Sequence, residues 1–183
     1  MLSSEDQSFL FATARQSIEY GLSSRKALLP ATRELANNLT AIRATFVTLK
    51  LRRNLRGCIG TTRAIEPLVV SVANNAFSAA FRDPRFDPLD RTEYPQIRLG
   101  ISILTEPEPI DFTSETDLLK QLVAGVDGLI IEREELKATF LPSVWESLQN
   151  PEDFLSQLKH KACLAPGQPI EKAWRYRSEY YEE

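Results

Sequence analysis

Thr45-Phe46-Val47-Thr48-Leu49-Lys50-Leu51-Arg52-Arg53-Asn54-Leu55-Arg56-Gly57-Cys58-Ile59-Gly60 is the stretch that decides the fold. Thr45 to Leu49 is β-branched and aromatic and reads as a strand. Arg52-Arg53-Asn54 makes a polar turn, and a second strand runs from Leu55 to Thr62. A connection this short predicts an antiparallel hairpin, whereas parallel strands need a long crossover.

Working outward, Ser3 or Ser4 caps a first helix with Glu5 and Asp6 in its first turn. Leu10, Phe11, Ala14 and Ile18 form its apolar stripe, and Gly21 is expected to stop it. A shorter helix is expected from about Ala31 to Leu39. Pro67 opens a helix to about Phe81, and Asp83-Pro84 and Asp87-Pro88 break it into a rigid loop. Ile97, Leu99, Ile101 and Ile103 alternate with Arg98, Gly100 and Ser102, which is the clearest strand in the chain.

Pro107 and Pro109 end that strand or mark an edge. A helix from about Ser114 to Val123 stops at Gly125, and Asp127-Gly128 turns into a strand Leu129 to Glu132. A short strand Thr139 to Leu141, a helix opened by Asn150-Pro151-Glu152-Asp153, and a final strand from Trp174 to Tyr180 complete the pass. The spacing is irregular and lacks a βαβ rhythm. It predicts an α+β fold with a mixed or largely antiparallel sheet flanked by helices.

The 183 residues suit one domain able to bury its own core, and 43% hydrophobic with 26% charged residues excludes disorder. Two cysteines, Cys58 and Cys163, make no disulfide framework. The opening Met1-Leu2-Ser3-Ser4-Glu5-Asp6 is polar and acidic, unlike a secretory or transit segment, and no apolar run has the length of a membrane span. The expected location is cytoplasmic. Net charge is −3, yet Leu35 to Ile65 carries +6 with no acid, so the remainder carries −9. Such a basic stretch suits a small anion or an acidic partner, or is a solvated turn. The overall acidity argues against nucleic acid as the main partner.

Chemistry concentrates on the second strand of the hairpin. Gly57 and Gly60 flank Cys58-Ile59, and paired glycines in a strand mark a bulge or a close approach to the backbone. In a regular strand Arg56 and Cys58 share a face, roughly 6.6 Å apart. A guanidinium at about 6 Å favours a thiolate by roughly 2.8 kcal/mol, against the roughly 2 kcal/mol needed to bring an ordinary thiol to half ionisation at pH 7. Arg56 is therefore expected to activate Cys58 if the sulfur stays solvated; buried, Cys58 is a packing residue. Asp83 and Arg85 are read either as polar groups on a pocket rim or as a turn aspartate with its ion partner. The single histidine, His160 in Lys159-His160-Lys161, complements a helix C-terminus. No metal set, Walker loop, dinucleotide fingerprint or nucleophile elbow occurs, so neither metal nor cofactor is expected.

Leu55-Arg56-Gly57-Cys58-Ile59-Gly60 resembles the signature of the AMMECR-type domain family, whose microbial members are also called AmmeMemoRadiSam system protein A. Further matches follow in family order: Phe46 to Leu49, Ala79 to Pro88, Ser102 to Thr105, Gly125 to Leu129, Leu141-Pro142, Lys161 to Leu164 and Trp174. The resemblance implies an α+β fold with a larger and a smaller lobe and a groove between them. It also implies a site including Cys58, Arg56 and the Asp83–Arg85 loop, and an association with a Memo-like protein and a radical-SAM enzyme. Two departures stand out: the family usually has glycine at Cys163 and glutamine at Ser143.

Three function classes follow. The first is an enzyme or enzyme subunit binding a small anionic ligand beside Cys58, with Arg56, Gly57, Gly60, Asp83 and Arg85 around it. The others are a non-catalytic adaptor for a partner protein and, more weakly, a nucleic-acid binder using the basic 43–63 segment.

Overall fold

The computed structural model describes residues 2–183, so the reading that includes Met1 falls partly outside it. Chain packing separates two compact units, residues 1–104 with 179–183 and residues 105–178.

The first unit opens with α1 (Ser4–Ser24). Ser3 is its N-cap, and a capping box pairs the Ser3 hydroxyl and the Asp6 carboxylate with each other's backbone N–H groups. Leu10, Ala14 and Ile18 repeat every fourth residue and are fully buried. Gly21 does not stop the helix. Its missing side chain makes room for Phe77, whose Cδ2 would lie 2.7 Å from a Cβ there, and the helix instead ends at Arg25 in a left-handed conformation. The expected helix over 31–39 is reduced to the single turn α2 (Asn37–Thr40).

β1 (Thr45–Leu51) and β2 (Asn54–Gly60) form the expected hairpin. Next come α3 (Leu68–Phe81), with Pro67 at the N-cap, and β3 (Ile97–Leu104). β3 pairs antiparallel with β1 on the side away from β2, so β2–α3–β3 is a split β-α-β unit closed over β1. Val47 and Leu49 of β1 and Leu99 and Ile101 of β3 face α1 and α3, and all four are at most 1% exposed. Each buried aliphatic side chain of this size contributes roughly 1.5–3 kcal/mol. Ser17 Oγ of α1 donates to the Ala73 carbonyl of α3, while Gly21 meets Phe77, so the two helices run parallel.

The second unit holds β4 (Glu108–Ile110), α4 (Glu115–Lys120), β5 (Gly128–Arg133), β6 (Leu136–Phe140), α5 (Pro151–Lys161) and β7 (Lys172–Tyr176). Its sheet runs β4-β7-β5-β6 with every ladder antiparallel. β4 had no period-2 signal because it is three residues long, though Pro109 does lie on an edge strand. Trp145 stacks on Phe154 with centroids 3.8 Å apart, and its Nε1–H donates to the Asp127 carbonyl at 2.8 Å. The single strand expected at 174–180 is two: β7 ends at Tyr176, and β8 (Ser178–Glu182) joins the first sheet, whose order is β2-β1-β3-β8. The fold is α+β, built on two four-stranded antiparallel sheets. No helix of the described residues is long and apolar enough to cross a membrane.

Candidate functional site

The site begins with a register shift. The hairpin turn is Arg52-Arg53, with φ of 51° and 70°, and Leu51 pairs with Asn54 and Lys50 with Leu55. Continued regularly, that ladder sets Val47 opposite Cys58 and turns the sulfur into the core. Instead Leu49 pairs with Gly57 and Thr48 with Cys58, leaving Arg56 as the extra residue of a β-bulge. One inserted residue changes the face of everything beyond it. Gly57 thus faces α3, and Cys58 joins Thr48 on the face away from the helices.

This corrects the expectation that Arg56 stands beside the thiol. The bulge breaks the two-residue alternation, and the Arg56 guanidinium lies against the loop that follows α3. It donates through Nε and Nη2 to the Glu93 carboxylate, both at 2.8 Å, and through Nη2 to the Asp87 carbonyl at 2.9 Å. Its Cζ sits 5.9 Å from the centre of the Phe86 ring, while Nη1 is buried without a hydrogen-bond partner among the described residues. The pairing raises the Arg56 pKa and lowers that of Glu93. Arg56 is thereby committed to ordering the 83–93 loop.

Asp83 and Arg85 take the place expected for Arg56. β2 is an edge strand, and its outward backbone groups at Cys58 need partners. Asp83 Oδ2 accepts the Cys58 N–H at 2.8 Å, and Arg85 Nη2 donates to the Cys58 carbonyl at 3.3 Å. The two side chains are joined by Nε to Oδ1 at 2.9 Å and Nη2 to Oδ2 at 2.7 Å, and Asp83 Oδ1 also accepts the Arg85 N–H at 3.1 Å. Both earlier readings of this cluster meet here: Asp83 is the turn aspartate with its ion partner, and the pair clamps the backbone of the candidate cysteine. The Asp83 side chain is 2% exposed and that of Arg85 55%. Hydrogen bonds from the Arg85 guanidinium hold the Asp83 carboxyl far below the usual carboxylate range against the opposing effect of burial, with help from the Cys58 and Arg85 N–H groups.

Cys58 is a half-buried residue, and its sulfur lies 3.2 Å from Thr48 Oγ1. Thr48 was not singled out from sequence; its signal lies in the pairing, and the bulge hid it. Gly57 and Gly60 are packing glycines, since a Cβ on Gly57 would run into the Ala79 carbonyl oxygen of α3 and one on Gly60 into Phe46 and the Thr45 carbonyl. Farther along the same sheet face the Tyr180 ring covers Gly100, and Lys50 Nζ bonds Glu182 at 2.8 Å. The basic 43–63 segment forms no single patch. Lys50 and Arg56 are paired, while Arg52 and Arg53 occupy one end of the hairpin and Arg43 and Arg63 flank the other, roughly 20 Å away. Among the described residues no group of three or more His, Cys, Asp or Glu is placed to hold a metal ion.

The AMMECR1 family model matches residues 11–181, through both compact units. The chain belongs to the AMMECR1 family. A Methanothermobacter thermautotrophicus protein is 36% identical, with 100% of this chain and 96% of that protein aligned. The Methanocaldococcus jannaschii protein MJ0810 is 34% identical, over 100% and 92%. Among solved structures, the uncharacterized protein PH0010 of Pyrococcus horikoshii superposes with a TM-score of 0.87 at 31% identity, covering 100% of this chain and 93% of that one. In this AMMECR1 chain the family-like hexapeptide is the bulged edge strand, and the Asp83–Arg85 stretch is the clamp upon it.

Proposed function

We propose that this AMMECR1 chain is an enzyme or enzyme subunit that binds a small anion beside Cys58, in a modification pathway shared with Memo-like and radical-SAM proteins. The carrying observation is the clamp: both backbone groups of Cys58 are fixed by side chains 25 and 27 residues away, while its sulfur lies next to a hydroxyl. The pathway half of the reading rests on the family resemblance alone.

Magnitudes define how the anion is held. A bare guanidinium about 6 Å away supplies roughly 2.8 kcal/mol, but Arg85 is more than half exposed and already paired with Asp83. Its net field is a fraction of that. Attraction comes instead from directed donors, namely Arg85 Nη1, which bonds nothing among the described residues, and the Thr48 hydroxyl. The second reading, a non-catalytic adaptor, is favoured by the sulfur's one side-chain partner among the described residues being a hydroxyl, with no base in contact.

The test is alkylation of Cys58 by iodoacetamide in a Cys163→Ser background, followed by mass spectrometry with and without inorganic phosphate. Phosphate is expected to slow the reaction several-fold, and Arg85→Leu to abolish that protection. Equal rates with and without phosphate, in both proteins, remove the anion site. Retention of a Memo-like or radical-SAM partner by the immobilised protein tests the pathway separately.

A further inference from the structure

The second unit contains a cavity of about 660 Å³ between α4, α5 and the loop 164–167, within the range that small-molecule sites occupy. Glu115 Oε1 accepts from Lys159 Nζ at 2.5 Å, which sets the first turn of α4 beside the last turn of α5. α5 lines the cavity from Pro151 to His160, so the slot is roughly 13 Å long. Leu119, Pro151, Ala165 and Pro166 give it an apolar lining over the core leucines Leu155 and Leu164.

The Glu115–Lys159 pair neutralises itself, which leaves Lys120, His160 and the carboxylate of Glu152 as the other ionisable groups of the lining. Neither Lys120 nor His160 makes an ion pair among the described residues, although Lys120 acts electrostatically on Asp117 of its own helix. Sequence reading assigned His160 only to the helix dipole; the fold also places it on this cavity. A smaller cavity, about 380 Å³ near Lys26 and Arg82, is less suited to an anion, because the parallel helices α1 and α3 both end near it.

We propose that the α4–α5 cavity binds an amphipathic organic anion, with an aryl or medium-length acyl body on Leu119 and the apolar surface of Pro151, Ala165 and Pro166, and an acidic head on Lys120 or His160. Apolar surface leaves water along the slot, and the head exchanges water for the uncommitted donor. The site is separate from Cys58 and does not rest on the preceding proposal.

The experiment is a fluorescence titration of the full chain with 1-anilinonaphthalene-8-sulfonate, with decanoate as competitor. One saturable site displaced by decanoate is expected. Ser156→Trp and Thr116→Trp, both at exposed lining positions, are each expected to weaken binding at least tenfold. Lys120→Glu with His160→Glu is expected to weaken the sulfonate severalfold while sparing the uncharged N-phenyl-1-naphthylamine. Cys58→Ser should leave every value unchanged. Circular dichroism melts confirm that the variants fold. Absent binding, or binding that survives both tryptophans, overturns the site, and equal loss of charged and uncharged dye overturns the anionic head.

Discussion

The two cysteines of this chain occupy opposite kinds of position. Cys58 sits in an edge strand where every backbone group is used: the register shift turns it, Asp83 takes its N–H, Arg85 takes its carbonyl and Thr48 faces its sulfur. Cys163 follows α5 in a left-handed conformation with φ of 60° and its side chain exposed. Its N–H bonds the His160 carbonyl and that of Leu164 bonds Lys159, a helix-ending turn that asks for glycine. The fold spends two side chains on orienting one cysteine and none on the other. Fixed geometry, more than the thiol itself, distinguishes a candidate site from a surface residue.

Gly57→Ala should break the arrangement most severely. The new methyl meets the Ala79 carbonyl oxygen, a backbone atom in the last turn of α3 that has no rotamer to escape into. Either the helix lifts or β2 loses its register, and Cys58 moves with it. A loss of at least about 3 kcal/mol is expected in urea unfolding, at the upper end for overpacking. A near-neutral result would mean that α3 does not press on the strand.

Asp83→Ala should follow, at roughly 2–3 kcal/mol, because it leaves the Cys58 N–H without its acceptor and frees Arg85. The same carboxylate gives a pH signature. Its folded-state pKa is depressed below an unfolded value near 3.9, so the unfolded chain takes up the proton first. Its stabilisation is complete above about pH 5 and is lost as pH falls through 4 and below. Glu93 is depressed in the same direction by Arg56, so the informative quantity is the difference between wild type and Asp83→Asn. That difference should shrink on acidification; a constant gap from pH 7 to pH 3 would assign the effect to packing.

How much of this was legible beforehand follows from the range of the forces involved. The hairpin, β3, the α1 cap and the Asn150-Pro151 start of α5 are written in patterns a few residues long, and all appear in the structure. Gly21 misled because a stop signal and a packing contact use the same residue, and only the position of Phe77 separates them. Arg56 misled for a related reason. Strand alternation is a local rule, and a bulge suspends it at the residue on which the reading depended. Thr48 and Glu93 were invisible because each partners a residue 10 or 37 positions away across a register that sequence does not encode locally.

Cys163→Gly carries the smallest expected change and the opposite sign. A non-glycine residue held near φ of +60° is strained by roughly 1 kcal/mol, and glycine removes that strain while giving back part of it as extra freedom of the unfolded chain. A net gain of about 0.5 kcal/mol is expected, read as a small rise in urea midpoint with unchanged slope. The cysteine here holds a left-handed backbone conformation that glycine adopts without strain. Phosphate protection of Cys58 should be the same in Cys163→Gly as in Cys163→Ser, because none of the bonds that hold Cys58 involves Cys163. A destabilised Cys163→Gly would mean that the thiol makes an interaction of its own, and the contrast between the two cysteines would lose its basis.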